Sequence, residues 1–390
     1  MKTIYAVGIL GIILATTGGA QTTLKDAYKS DFLIGAALNP LQFCNSNGMA
    51  AALIKRQFNS ISPENVLKWE KVHPEPGQYD FALPDRYVAF GETNQMFIIG
   101  HTLVWHSQTP AWVFQDEKGK PVARDVLLAR MREHIFTVVG RYKGRIKGWD
   151  VVNEAVAENG DIRQSPWRKI IGEDYMLKAY QFAHEADPQA ELYYNDYGLE
   201  NPHKRAGGIK LVKELQAAGI KIAGVGLQGH YKLDPNYPSV QEVDETIAEF
   251  SRLGVKVMIT ELDVDVLPSA HQSLNADVAT SYLADKQLNP FPKELPAAVQ
   301  DQLAARYAEL FTVFLKHRRE IERVTFWGVT DDSSWLNDWP VEGRTSYPLL
   351  FDREGKPKPA FDRIMALARL AGRLTKVDGG RTNTMHNLDN

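Results

Sequence analysis

The chain has 390 residues, 44% hydrophobic and 24% charged, which suits one large globular domain or two ordinary ones and argues against a disordered or fibrous chain. A formal net charge of -3 creates no broad field of either sign, and no run rich in Lys and Arg stands out to follow a phosphate backbone, so nucleic acid is not an expected partner. Cys44 is the single cysteine, so no disulfide can form within the chain and stability must come from the core alone.

The first residues, MKTIYAVGILGIILATTGGAQ, place Lys2 before an apolar run from Ile4 to Ala15 and small residues up to Ala20. This is the layout of a secretory signal over residues 1–20, and the run is shorter than an ordinary membrane span. A short N-terminal membrane anchor is the alternative. The mature chain is expected to be secreted or periplasmic, without a membrane span.

After this segment, short β-rich apolar runs alternate with longer segments of helical period, the pattern of parallel strands joined by crossover helices. Strands are expected at residues 32–39, 58–65, 96–105, 146–154, 191–197, 224–231, 256–264 and 324–331. Eight such strands close a (β/α)8 barrel, whose sites gather at the C-terminal strand ends. Helical patterns run from Leu127 to Tyr142, Tyr175 to Ala186, Ile209 to Ala218, Val240 to Leu253, Ala297 to Ile321 and Ala360 to Leu374. In the first of these, Leu127, Met131, Ile135, Val138 and Tyr142 line one face.

Two segments exceed what a minimal barrel needs: Pro110 to Asp125, and Leu267 to Leu295, which is rich in Ser, Ala, Asn and Pro. A loop that long on the active face shapes a cleft. Residues 21–375 read as one domain, without repeat or linker, and the polar, Gly-containing tail at 376–390 is expected to be disordered.

The informative residues stand where the predicted strands end: Glu64 and Asn65, His101 and Trp105, Asn153 and Glu154, Asn195 to Tyr197, Gln228 and His230, Glu261 and Asp263, then Trp327 and Asp331. Each alone has an ordinary structural reading. Asn153 or Asn195 can cap a helix, Trp105 or Trp327 can be core, and His101 can be a satisfied buried histidine. Together they are more than a purely structural barrel needs. Two glutamates, each placed after an apolar run, suit sugar cleavage: one carboxyl protonates the leaving oxygen, the other attacks or activates water, and indoles stack on sugar faces. Metal chemistry is the competitor, but HExxH is absent and His101 with His106 or His230 has no recognised ligand spacing. GxSxG, GxxxxGK and a GxGxxG after the first strand are also absent.

The motifs SPENVLKWE, GHTLVWHSQTPAW, WDVVNEA, YYNDYG, GLQGHY, ITELDV and TFWGVTD follow one another on successive strands. In them the chain resembles glycoside hydrolase family ten, the endo-β-1,4-xylanases, from about Leu24 to Leu374. The resemblance implies Glu154 as general acid/base and Glu261 as nucleophile. It also implies Asn153 on the substrate 2-hydroxyl, His230 bonded to the nucleophile with Asp263 behind it, and Gln228 beside them. Glu64, Asn65, Lys68, His101 and Trp105 match glycone-side contacts, Trp327 and Trp335 resemble the indoles covering that side, and Tyr197 resembles a tyrosine flooring the cleft. Xylan and xylo-oligosaccharides are the implied partners of a monomer, with no cofactor and no metal.

In a retaining enzyme the two carboxyl groups stand about 5 to 5.5 Å apart, which strands four and seven permit because their ends converge on one mouth. A wall of bulky side chains over C5, from Trp327 and Trp335, would exclude glucose by clash. Gly198, where the family often carries a side chain, and the long 267–295 segment depart from the family pattern and leave the leaving-group subsites open. Trp112, Phe114 and Trp167 are expected to pack rather than to extend the cleft. The alternatives are a (β/α)8 endo-glucanase or mixed β-glycanase using the same pair, and a sugar-binding barrel without catalysis. The presence of both glutamates argues against the last.

Overall fold

The computed structural model describes residues 22–45, 48–269, 282–283 and 286–381. The segment read as a signal lies outside them, as do residues 270–281 of the long insertion and the end of the tail from 382. Eight strands form the barrel: β1 (Leu33–Leu38), β2 (Ser60–Pro63), β3 (Phe97–Val104), β4 (Gly148–Asn153), β5 (Glu191–Asp196), β6 (Gly224–Leu227), β7 (Lys256–Asp265) and β8 (Ile321–Phe326). Each runs parallel to the next, and β8 pairs with both β7 and β1, so Val324 faces Ile259 on one side and Ile34 on the other. No edge remains. All six residues of β4 are buried, as expected of strands covered on both faces.

Glycines make room inside the barrel. A Cβ on Gly100 would lie 2.1 Å from Trp149 Cε3, and one on Gly148 would lie 2.2 Å from Tyr193 Cε2. These two absences let Trp149 and Tyr193 fill the interior below the mouth. At its floor the Arg323 guanidinium sits 4.6 Å from the centre of the Tyr193 ring.

A helix follows every strand: α1 (Met49–Gln57), α2 (Ala82–Thr93), α3 (Arg124–Arg141), α4 (Tyr175–Ala186), α5 (Pro202–Ala217), α6 (Val240–Ser251), α7 (Ala297–Lys316) and α8 (Pro359–Arg381). Neither α1 nor α2 was expected from the sequence. α5 begins earlier than its apolar period suggests, because the Asn201 side chain accepts from the His203 and Lys204 amides and Pro202 occupies the first turn. α7 ends at Lys316, and Ile321, expected as its last residue, instead opens β8. α8 continues to Arg381, so residues 376–381 of the expected tail are helical.

Two predicted strands stop early. β6 ends at Leu227, Gly229 turns the chain with φ 82°, and His230–Lys232 form a short separate strand paired with β7. β8 ends at Phe326, leaving Trp327 to Asp331 in the loop above it. Within the segment 110–125, Ala111–Phe114 form a short helix and the Trp112 indole donates to the Pro74 carbonyl (2.8 Å). Phe114 meets Trp167 edge-on at 4.8 Å. These three aromatics pack against the core, as expected.

Candidate active site

β4 ends at Asn153, and Glu154 follows in a left-handed conformation with φ 56°. That backbone costs a non-glycine residue on the order of 1 kcal/mol, so the surroundings must hold it. They do: the Glu154 amide donates to the Asn195 carbonyl (2.9 Å), and its own carbonyl accepts from Arg163 Nε (3.0 Å). The turn aims the carboxyl into the mouth. There Trp105 Nε1 donates to Oε2 and Gln228 Nε2 to Oε1, both at 2.9 Å. Both donors are neutral. The Trp105 carbonyl in turn accepts from Trp167 Nε1 (2.8 Å), so the packed indole behind it fixes the one that touches Glu154.

Glu261 lies on β7, 5% exposed, in a different electrostatic setting. Its Oε1 accepts from Asn195 Nδ2 (2.8 Å), and its Oε2 accepts from His230 Nε2 (3.0 Å). His230 Nδ1 donates to Asp263 Oδ1 (3.0 Å), whose other oxygen accepts from Trp335 Nε1 (2.7 Å). Burial alone would push His230 down, but the Asp263 charge and hydrogen bond, with those of Glu261, carry it up to about 10. The ring is therefore an imidazolium across the neutral range, held between two carboxylates. Burial likewise pushes the Glu261 carboxyl up. The His230 hydrogen bond, the charges of His101 and His230, and the Asn195 amide outweigh it and hold the group below its ordinary value.

Asn195, next to last on β5 and named among the strand-end residues without a role of its own, joins the two halves. Its Nδ2 also donates to Asn153 Oδ1 (2.9 Å), and its Oδ1 accepts from Thr260 Oγ1 (2.6 Å). Its place at a strand end was the only available signal. Trp339, also unanticipated, stacks on Trp335 with centroids 4.9 Å apart and planes 12° apart.

On the bank formed by β2 and β3, Lys68 Nζ donates to Asn65 Oδ1 (3.0 Å) and Gln108 Oε1 (2.8 Å), and lies 5.0 Å from the centre of the Trp105 ring. Burial lowers Lys68, while the charges of Glu261, Glu64 and Glu154 oppose it. Burial also raises Glu64, against the pull of Lys68 and Asn65. His101 Nδ1 bonds Asp150 Oδ2 (2.9 Å), and its ring stands edge-on to Trp327 at 5.6 Å. On the far bank, Tyr197 bonds Glu158, accepts from Arg163 Nη2 (2.9 Å), and has Lys204 Nζ 3.2 Å from its ring centre.

Every residue singled out from the sequence as catalytic, supporting or substrate-binding lines one open cleft of about 1790 Å³. The rings of Trp105 and Trp335, expected as sugar-stacking surfaces, are oriented by their indole N–H groups, which donate to the Glu154 and Asp263 carboxylates. Among the described residues no group of three or more His, Cys, Asp or Glu is placed to hold a metal ion.

Residues 23–367 match the family described as glycosyl hydrolase family 10. The chain is 46% identical to endo-1,4-beta-xylanase A of Xylanibacter ruminicola, over 93% of this chain and 98% of that one. It is 42% identical to an endo-1,4-beta-xylanase of Geobacillus stearothermophilus, over 88% and 98%. The solved structure of a family 10 endoxylanase retrieved from sugarcane soil metagenome superposes with a TM-score of 0.83 at 45% identity, covering 89% of this chain and all of that one.

Proposed function

The chain belongs to glycosyl hydrolase family 10, the retaining endo-1,4-β-xylanases, and from that membership we propose that it cleaves internal bonds of xylan with Glu261 as nucleophile and Glu154 as acid and then base. In the first step Glu154 gives its proton to the leaving oxygen while a Glu261 oxygen bonds the anomeric carbon, forming a glycosyl-enzyme and releasing the aglycone. In the second, Glu154, now a carboxylate, takes a proton from water as the water oxygen displaces Glu261 from the same carbon. The xylose leaves with its β configuration, and both glutamates are restored.

The observation that carries these roles is the unlike pair of donor sets. Glu261 is bonded by an imidazolium and an amide, which stabilise the anion that must attack. Glu154 is bonded by an indole and an amide, neutral groups that accommodate a carboxyl changing charge twice per turnover. Asn153, tied to the nucleophile through Asn195, would hold the 2-hydroxyl. Glu64, Asn65, Lys68, His101 and Trp105 would hold the glycone, and Trp327 with Trp335 would wall off C5 against glucose. Residues 1–20 would direct export, which their charged start, apolar run and small residues support.

Reducing-sugar release from xylan and from carboxymethyl cellulose tests the substrate, and equal rates would sink the xylan assignment. Proton NMR during xylo-oligosaccharide hydrolysis should record the β-anomer first. Early α-product would mean inversion and a different role for Glu261.

A further inference from the structure

A buried ion pair stands against the turn that carries Glu154. Asp196, the last residue of β5, is wholly buried, and Lys204, in the first turn of α5, is 1% exposed. Lys204 Nζ and Asp196 Oδ1 are 3.0 Å apart. Two ions taken out of water add little to stability over an apolar pair of the same shape, so the pair is better judged by what it holds.

The left-handed Glu154 is followed by two amides that converge on one atom: Ala155 and Val156 both donate to the Tyr194 hydroxyl oxygen at 3.1 Å. Successive amides that converge in this way form a pocket for an electron-rich oxygen. Tyr194 donates in turn to Asp196 Oδ2, which also accepts from the Val156 amide (3.3 Å). Burial and then the Asp196 charge push the Tyr194 hydroxyl well above its ordinary value, so it stays a donor. The carbonyls of the turn are held separately, by Arg163 Nε on Glu154 (3.0 Å) and Arg163 Nη2 on Val156 (3.3 Å). Asp196 bears on the carboxyl by a second route as well. Its main-chain carbonyl accepts from the Gln228 amide (3.0 Å), and the Gln228 side chain donates to Glu154 Oε1 (2.9 Å).

Burial raises Asp196 above its ordinary value against the pull of Lys204, and the Glu154 charge adds to the rise, so the two carboxyls are within electrostatic reach of each other. Lys204 Nζ also lies 3.2 Å from the centre of the Tyr197 ring, and Arg163 Nη2 donates to the Tyr197 hydroxyl (2.9 Å). The Glu154 turn and the tyrosine at the cleft floor therefore share their fasteners. Resting on the reading of Glu154 as acid and base, we propose that Asp196 is a positioning residue for that reaction. Fixed by Lys204, it holds Tyr194, and Tyr194 holds the turn that aims the Glu154 carboxyl at the leaving oxygen. Loss of this hold costs rate where a proton must be delivered and spares the step that needs none.

The test compares xylohexaose, whose leaving group needs a proton, with 2,4-dinitrophenyl β-xylobioside, whose leaving group departs without one. Asp196→Asn should lower kcat/KM on xylohexaose about 10- to 100-fold, as misplacement of an aligned group does, and stay within about threefold of wild type on the aryl substrate. Tyr194→Phe, which leaves the ion pair intact, should show the same selective loss. Where Asp196→Asn folds poorly because Lys204 is left unpaired, Asp196→Asn combined with Lys204→Met removes both charges and carries the same expectation. Added to Glu154→Ala, Asp196→Asn should lower xylohexaose turnover no further, because the group it positions is gone. Equal losses on both substrates, an undiminished rate on xylohexaose, or a further full loss in the Glu154→Ala protein would each overturn the proposal. If Glu154→Ala alone slowed both substrates equally, the acid/base reading itself would fall, an outcome distinct from these.

Discussion

The surroundings of the two glutamates differ in kind. Glu261 ends a relay in which Trp335 holds Asp263, Asp263 holds His230, and His230 holds the carboxylate. Glu154 has no charged hydrogen-bond donor on its side chain; an indole and an amide bracket it. On the proposed roles, the same side chain would perform two jobs because Glu261 is held below its ordinary value by a positive partner while the hydrogen-bond donors on Glu154 are neutral. If the roles divide as proposed, the division lies in the neighbours and should be separable by substitution.

The largest effect is expected at the locked group. Glu261→Ala should abolish turnover of xylan and of activated aryl xylosides alike, since no proton or leaving group compensates for a missing nucleophile. Measurable retaining turnover would break the comparison at its root. Next, Glu154→Ala should slow xylan hydrolysis by about 10² to 10⁴, the usual share of a general acid and base. It should leave kcat/KM for activated aryl xylobiosides within about tenfold of wild type, because those leaving groups depart without a proton. An equal loss on both substrates would remove the distinction.

Asp263→Asn sharpens the comparison through pH. The Asp263 charge is the main influence raising His230, so its removal should bring the histidine down from about 10 toward its ordinary value. The protonated ring that stabilises Glu261 is present below that pKa and lost as pH rises through it. The alkaline limb of kcat/KM on an activated aryl xylobioside should therefore move to lower pH by a unit or more, with little change at pH 5. An unmoved limb would mean that His230 acts only as a spacer. The smallest effect is expected at Trp105→Phe, which removes a neutral donor from Glu154: about two- to tenfold on xylan, matching the usual worth of a neutral hydrogen bond. A loss as large as that of Glu154→Ala would show the indole to be a full partner in proton transfer.

Much of this was legible in the sequence. The barrel followed from eight apolar runs, and the strand-end residues converge because a barrel brings every C-terminal strand end to one mouth. What the sequence concealed was direction and breakage. Asn195 looks like any asparagine near a helix start, and only the fold aims its amide at Glu261 and Asn153 together. α2 was missed although Tyr87, Val88 and Phe90 are buried on it, since Pro84 resembles a breaker unless it is known to sit in the first turn. The charged stretch from Lys316 to Arg323 reads as continuing helix, yet Ile321 already pairs in the barrel, where parallel neighbours override local propensity. The break at Gly229 turns one expected strand into two and delivers His230 to Glu261, a consequence no periodicity encodes.

The closure of the barrel has a consequence for the order in which the molecule acquires its chemistry. β8 is the last barrel strand made, yet it must seat between β7 and β1, and Trp335 follows it within ten residues. A nascent chain ending before that point already contains both glutamates but lacks the indole that steadies Asp263 and the strand that closes the ring. Domains are synthesised from the N-terminus, and a barrel closes only when its last strand exists. Truncation before Trp335 is therefore expected to leave a chain that holds both glutamates and yet cleaves no xylan, which an activity assay of the shortened protein would check.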